Sequence, residues 1–218
     1  MKREKIIETA NKYKGAAMYS AKHKELVKAF NKVKPNGYTA HTTDPWCAIA
    51  VSAWAILAYG KNTAKKKFPL SASVPDMLKK AEKMKIWHES DKTKPEPGDL
   101  ILYDWDDSGK GDDKGSPDHV GLVTKTGKND FTVLEGNKGK GSKCDTRKMK
   151  YNGRYIRGFI KPKYTDDSKS EKERIEKLAD ATMRGEYGNG VARKKKLGSD
   201  YDKVQEEINR RKKDELQN

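Results

Sequence analysis

The segment Thr43–Leu57 constrains this chain most, because a helix-start signal there leads into a nearly uninterrupted apolar run. Thr43 or Asp44 can cap a helix, and Pro45 suits its first turn. The run predicts a buried helix with Cys47 near its start, where unpaired N–H groups and the helix dipole favour a thiolate. Two interpretations of Cys47 remain open at this point, a nucleophile or a buried structural thiol.

Composition restricts the partners of the chain. Its 218 residues suffice for one large core and a small appendage. Charged residues make up 37% and hydrophobic residues 33% of the chain, with a net charge of +16 and a pI near 9.6. Such a chain is expected to bind a polyanion, which nucleic acid, anionic lipid headgroups and acidic cell-wall polymers all satisfy.

The first ten residues are charged and helix-like, and they lack the apolar centre of a secretory signal. No stretch approaches the roughly 20 apolar residues of a membrane span. We therefore expect synthesis in the cytosol, with Cys47 and Cys144 both reduced.

Apolar spacing in the first half of the chain is typical of amphipathic and buried helices. The same spacing leaves His23 among lysines, which favours a surface position. The segment 61–67, rich in lysine, is predicted to be a solvated loop. Helices are predicted over 3–14, 22–33, the Cys47 segment and 74–85.

After residue 98 the pattern changes to short β-rich runs separated by Gly, Asn and Asp. The segment Thr126–Asp130 is typical of a hairpin turn. Helices followed by strands predict an α+β fold, with the helices packed on an antiparallel sheet. The predicted strands are Asp99–Trp105, Val120–Thr126, Phe131–Glu135 and Tyr155–Lys161.

The last third of the chain loses its strand signals after a polar segment that predicts a linker. Three short helices follow, over 171–183, 191–197 and 201–211. The resulting domains are 1–163, a linker over 164–172, and a three-helix unit over 173–218.

His119 is the histidine best placed to serve a thiol nucleophile. It stands at the entry to a buried strand, whereas His23, His41 and His88 lie in polar or helix-end contexts. Glu135 ends the next strand, so a hairpin would bring it to the same end as His119, where a carboxylate can orient an imidazole. The alternative is a structural hydrogen-bonded pair at a strand end.

Four motifs follow one another along the chain, namely Pro45–Ala48, Pro97–Ile101, Asp118–Val123 and Glu135–Asn137. In this order they resemble the CHAP family, the cysteine, histidine-dependent amidohydrolases/peptidases. The resemblance covers 1–163 and implies a papain-like fold that cleaves amides in peptidoglycan. The scissile bond would join muramic acid to L-alanine or lie within stem or cross-bridge peptides. It implies Cys47 as nucleophile, His119 as base, Glu135 as orienting group and Asn137 as an assisting residue, with no cofactor required.

Trp46 directly precedes the candidate nucleophile and has two interpretations. It walls the cleft and contacts substrate, or it packs in the apolar core.

An acidic loop before His119 partly matches a calcium-binding loop. Asp104, Asp106, Ser108 and Asp112 take the first, third, fifth and ninth positions, but Gly115 stands where a bidentate Glu is required. The open alternatives are a Ca²⁺ site and a solvated acidic loop.

The last third of the chain resembles the cell-wall-binding repeat of a pneumococcal-phage lysozyme, on the segments 178–190, 193–197 and 201–209. That resemblance implies a three-helix bundle that recognises peptidoglycan. The alternative is that the glycines close turns and Tyr201 packs in the core. The candidate ligand contacts are Arg184, Gly188, Asn189 and Tyr201, with Asp180 as a further candidate.

Together the two resemblances imply a phage or prophage endolysin, made in the bacterial cytoplasm and acting on the wall after release. We expect peptidoglycan and anionic wall polymers as partners, no nucleic acid, and a monomer. The competing hypotheses are a basic nucleic-acid-binding protein, for which the groove-reading and RNA-binding motifs are missing, and a non-catalytic wall binder.

Overall fold

The computed structural model describes residues 1–106 and 115–215, without the side chains of 166–170 and 215. The chain divides into two compact units, Met1–Lys163 and Tyr164–Asn218. No helix in these described ranges is both long and apolar enough to cross a bilayer.

Helices form the first half of the first unit, as predicted. The segment 61–67 is also helical, so the loop prediction is wrong there. Ala64 is fully buried, whereas the lysines of this segment are exposed. The Ala64 N–H donates to the Gly60 carbonyl (3.0 Å), and the Ala64 carbonyl accepts from the Phe68 N–H (2.9 Å). Among the described residues the helices are α1 (Arg3–Asn11), α2 (Ala21–Asn31), α3 (Cys47–Tyr59), α4 (Lys61–Lys67) and α5 (Val74–Lys83).

The central helix α3 is buried on nearly all sides, with only Leu57 and Tyr59 outside the buried set. Its start differs from the predicted cap, because Trp46 occupies the capping position and its side chain makes no capping bond. The Asp44 carboxylate closes the preceding loop instead. It accepts hydrogen bonds from the His41 N–H (2.7 Å) and the Tyr38 hydroxyl (2.9 Å).

His23 is fully buried on α2, so its predicted surface position is wrong. Its Nδ1 accepts a hydrogen bond from the Tyr19 N–H at 3.0 Å. The ring centroid lies 4.6 Å from that of Trp46. Burial lowers the pKa of His23, so the ring is a neutral part of the core at pH 7.

An antiparallel sheet forms the second half of the first unit, with six strands in the order β1-β6-β2-β3-β4-β5 within the described residues. α3 packs on β3 and β4. This arrangement confirms the α+β prediction and the four predicted strands; β1 and β5 were not predicted. The strands are β1 (Trp87–His88), β2 (Leu100–Tyr103), β3 (His119–Thr126), β4 (Asp130–Lys138), β5 (Lys143–Lys150) and β6 (Ile156–Ile160).

The second unit contains, in its described part, the helices α6 (Thr165–Met183), α7 (Gly190–Leu197) and α8 (Tyr201–Glu215). They enclose a small core of their own. α6 starts at Thr165, so most of the segment predicted as a linker is helical. The core residues are Ile175, Ala179, Leu197, Val204 and Ile208.

Candidate active site

Cys47 is the first residue of α3 and a free thiol, with 5% of its surface exposed. The first intrahelical backbone bond near it runs from the Ala50 N–H to the Trp46 carbonyl, at 2.8 Å. The N–H groups of the first turn therefore precede any intrahelical acceptor, and they carry the positive end of the helix dipole. This position favours negative charge on the sulfur and on a nearby oxygen.

His119 begins β3 directly opposite Tyr103 of β2 and is 9% exposed. Its Nε2 lies 3.4 Å from Glu135 Oε2. The Cys47 thiol is a second polar neighbour of the ring, and because Nε2 faces Glu135 we assign Nδ1 to the thiol. Burial alone would lower the pKa of His119, but its polar interactions with Cys47 and Glu135 raise it to about 9.

Glu135 lies at 0% exposure on β4 and is held from the side away from His119. Its Oε1 accepts hydrogen bonds from the Tyr103 hydroxyl (2.9 Å) and from Arg147 Nε (2.7 Å). Burial would raise the pKa of Glu135, but His119 and Arg147 outweigh burial and lower it. Glu135 is therefore a buried carboxylate that stays ionised beside the imidazole.

The contact between His119 and Glu135 has room to shorten. Within the described part of the chain, neither His119 Nε2 nor Glu135 Oε2 has an aligned hydrogen-bond partner. Catalytic hydrogen bonds are often long in unliganded enzymes and tighten when substrate binds.

Gly121 explains how the Glu135 side chain reaches His119 across the sheet. A Cβ at position 121 would lie 2.4 Å from Val133 Cγ1 and 2.9 Å from Glu135 Cγ. Only glycine leaves this space on β3, so the His-Val-Gly order of the motif has a steric cause.

The sequence did not indicate Tyr103, Trp105 and Arg147, which support the site. Tyr103 and Trp105 stack with ring centroids 4.7 Å apart, and the Arg147 guanidinium lies 4.8 Å from the Trp105 ring centroid. Tyr103 appears in the sequence as one more apolar strand residue. Arg147 lies in a polar strand that carries no hydrophobic signal.

Trp46 is fully buried, which favours the packing alternative over contact with substrate. Its Nε1–H donates to Ser142 Oγ (2.8 Å), and that hydroxyl donates to Asn137 Oδ1 (2.6 Å). Asn137 Oδ1 thus accepts a hydrogen bond from Ser142, while Glu135 Oε2 faces His119 Nε2. A Cβ on Gly136 would lie 3.0 Å from Trp46, so this ring joins the start of α3 to the end of β4.

Comparison with protein families matches the CHAP domain over residues 34–137 and the CW_7 repeat over residues 176–211. The chain carries a CHAP domain followed by a CW_7 repeat. Cys47, His119 and Glu135 all lie inside the CHAP match, and the helices-then-sheet order agrees with the papain-like α+β fold of that domain.

Two solved structures of the protein Ly7917 are similar to the chain. "The crystal structure of Ly7917 with the hydrolyzing product of MDP" is 14% identical over 74% of this chain and 63% of Ly7917, with a TM-score of 0.43. "The crystal structure of Ly7917" is 15% identical over 64% of this chain and 62% of the other, with a TM-score of 0.37. The chain thus spans less than two thirds of Ly7917. No curated protein matches it.

Only part of the acidic loop of the CHAP domain can be compared with the calcium prediction. Ser108 and Asp112 lie outside the described residues. Asp104 is buried and accepts a hydrogen bond from the Asp106 N–H at 3.2 Å. In the described residues no cluster of three or more metal-binding side chains occurs. The Ca²⁺ site stays a prediction.

Arg193 joins two of the residues predicted to bind ligand in the CW_7 repeat. It donates to the Gly188 carbonyl (3.0 Å) and to Asn189 Oδ1 (2.9 Å). Asn189 and Arg193 line a cavity of about 260 Å³. Arg193 was not predicted, because it reads as one member of a basic run.

The other candidates in the CW_7 repeat do not line this cavity. Arg184 pairs with Glu186 at 2.8 Å near the surface. Tyr201 packs against the core with Lys194 Nζ 5.6 Å from its ring centroid, and Asp180 pairs with Arg211. Their roles in binding stay predictions.

Proposed function

We propose that this chain is a peptidoglycan hydrolase of the endolysin type that cleaves an amide bond with Cys47 as nucleophile. The observation that carries the proposal is the position of His119, with Cys47 and the buried carboxylate of Glu135 as its polar neighbours. A thiol, an imidazole and an orienting carboxylate in contact are the parts that thiol-based amide hydrolysis needs.

The reaction follows from the roles of these groups. His119 Nδ1 takes the thiol proton, and the Cys47 sulfur attacks the amide carbonyl carbon. First-turn N–H groups of α3 donate to the oxygen that becomes negative. His119 then protonates the amine as the C–N bond breaks, which leaves a thioester on Cys47. Water, deprotonated by His119, cleaves the thioester, releases the carboxylate product and restores the thiol.

Glu135 fixes the ring and stabilises its protonated form. Its charge is kept in the interior by the two donors on Oε1, Tyr103 and Arg147, while Oε2 faces His119. Because the pKa of His119 is raised to about 9, the imidazole that has taken the thiol proton stays protonated at neutral pH until it passes that proton to the amine.

The CHAP and CW_7 matches and the net charge of +16 support peptidoglycan as the substrate. Anionic wall polymers attract a cationic protein. We propose the cell wall as its place of action, reached from the cytoplasm. The scissile amide is either muramoyl–L-alanine or one within the stem or cross-bridge peptides.

Digestion of purified sacculi followed by mass spectrometry tests the proposal. New amino and carboxyl termini identify the bond, and Cys47→Ala should abolish their appearance while wall association persists. Cys144→Ala is the matched control, because that thiol is fully buried in β5 and burial raises its pKa to about 12. Undiminished hydrolysis by Cys47→Ala would refute the nucleophile. Wall association without new termini from the unaltered chain would indicate a non-catalytic binder, and a gel shift with DNA would favour the nucleic-acid alternative.

A further inference from the structure

A cavity of about 520 Å³ opens beside the start of α3. Pro45 and Ile49 form part of its wall, two positions before and after Cys47. Two residues of chain span at most about 7 Å, so the wall begins within that distance of the Cys47 Cα. The wall is thus close enough to the start of α3 for a substrate peptide bound at Cys47 to extend along it.

The two carboxylates that line the cavity are in different electrostatic states. Asp76 Oδ2 lies 3.0 Å from Lys80 Nζ and accepts a hydrogen bond from Asn36 Nδ2 at 2.8 Å. Asp44 receives only neutral donors, the His41 N–H and the Tyr38 hydroxyl. Throughout the described part of the chain, no Lys or Arg forms an ion pair with Asp44. The cavity therefore holds one uncompensated negative charge, in a chain whose net charge is +16.

The hydrogen-bonding groups of the cavity favour a donor as ligand. The Tyr38 hydroxyl proton is committed to Asp44, and one amide hydrogen of Asn36 is committed to Asp76. Both of the Asp44 bonds fall on Oδ2, which leaves Oδ1 as an acceptor. Tyr38 is 44% exposed, and an aromatic ring beside a carboxylate is a favourable environment for an ammonium group.

We propose that this cavity is a subsite for an ammonium group of the substrate, with Asp44 as its counter-ion and Tyr38 as its wall. The inference rests on the proposed function, since it names a feature of the same substrate. It implies that the enzyme prefers peptides that carry a free primary amine within about two residues of the scissile amide. The charge-assisted bond should contribute about tenfold in kcat/KM.

The test compares lysine-containing sacculi with a portion of the same batch in which every free amine has been acetylated. The unaltered full chain should hydrolyse the acetylated sacculi about tenfold more slowly at low substrate concentration. Asp44→Asn keeps an oxygen acceptor for the loop, and it should hydrolyse both preparations at the slower rate. Asp130→Asn, which removes an exposed carboxylate on β4, is the matched control and should keep the preference.

A binding measurement separates this inference from the proposed function. Cys47→Ala is titrated with a lysine-containing stem peptide and with its Nε-acetylated twin. The free amine should bind about tenfold more tightly, and adding Asp44→Asn should remove the difference. Equal binding of the two peptides, or a preference that survives Asp44→Asn, would overturn the subsite. An Asp44-dependent preference in binding without any hydrolysis would instead overturn the proposed function.

Ionic strength supplies a second measurement if Asp44→Asn fails to fold. Between about 0.01 M and 1 M salt the Debye length falls from about 30 to about 3 Å. The preference of the unaltered chain for free amines should decline over that range. A preference independent of salt would contradict a charge-based subsite.

Discussion

Replacing Arg147 with Met tests how the buried charge of Glu135 is maintained. Arg147 Nε donates to Glu135 Oε1 at 2.7 Å, and the arginine side chain is 31% exposed while the carboxylate is fully buried. Met keeps much of the side-chain volume beside Trp105 and removes the donor and the positive charge. The carboxylate then retains Tyr103 on Oε1 and His119 at 3.4 Å from Oε2.

The expected loss of stability follows from the kind of bond removed. A hydrogen bond to a charged group contributes about 1.5–3 kcal/mol. Because Arg147 is partly exposed, we expect the free energy of unfolding to fall by about 2 kcal/mol at pH 7. For a unit the size of Met1–Lys163 this lowers Tm by about 4–8 °C.

The sign of the pH dependence distinguishes electrostatics from packing. The pKa of Glu135 lies below its ordinary value of 4.5, so its charge stabilises the fold above that pH and the contribution is lost as pH falls through the folded pKa. Arg147→Met raises that pKa. The difference in the free energy of unfolding between the unaltered protein and Arg147→Met should therefore be largest near pH 7. It should shrink in acid, as Glu135 becomes protonated in both proteins.

Urea unfolding at pH 7 and at several acid pH values measures this difference. Lys148→Met, the adjacent and far more exposed cation on β5, should change stability by less than about 0.5 kcal/mol. A loss for Arg147→Met that is the same at every pH would show that only packing was disturbed. No loss at all would refute the account of the buried carboxylate.

Three further outcomes are expected. The rate of amide hydrolysis should fall as pH rises through about 9, where His119 loses the proton that the leaving amine needs, and a pH–rate profile measures this. Gly121→Ala should cost at least tenfold in kcat with KM less affected, because its Cβ would meet Val133 and Glu135 within 3 Å; unchanged kinetics would contradict the steric account. Ser142→Ala leaves Trp46 Nε1 and Asn137 Oδ1 without their shared partner and should destabilise the fold by about 2 kcal/mol in urea unfolding, whereas replacement of the exposed Ser199 by Ala is expected to be neutral.

Apolar runs carried most of the predictable structure. The Cys47 helix and the four predicted strands are buried segments with largely apolar sequences. β5 is an edge strand of the described sheet and five of its eight residues are charged, so neither it nor Arg147 gives a hydrophobic signal. Neither donor to Glu135 Oε1 was therefore assigned from sequence patterns, since Tyr103 is one more apolar residue of β2 and Arg147 lies on β5.

The error at His23 could have been avoided by following the helical period. His23 is three, four and seven residues before Leu26, Val27 and Phe30, which places it on the buried face of α2 despite its lysine neighbours. The sequence also predicted His119 and Glu135 at one end of a hairpin, and in the structure His119 Nε2 lies 3.4 Å from Glu135 Oε2. What it could not give is the distance from α3 to the sheet, because that depends on packing between segments distant along the chain.

The two cysteine thiols of the chain differ in a way that makes chemical labelling informative. Cys144 is sealed within β5 with a pKa near 12, so it is scarcely ionised at pH 7 and inert toward alkylating reagents. Cys47 keeps a small opening and a basic neighbour. One equivalent of iodoacetamide incorporated per chain would thus count competent molecules directly, and mild peroxide would inactivate the protein at a single atom while leaving its fold intact.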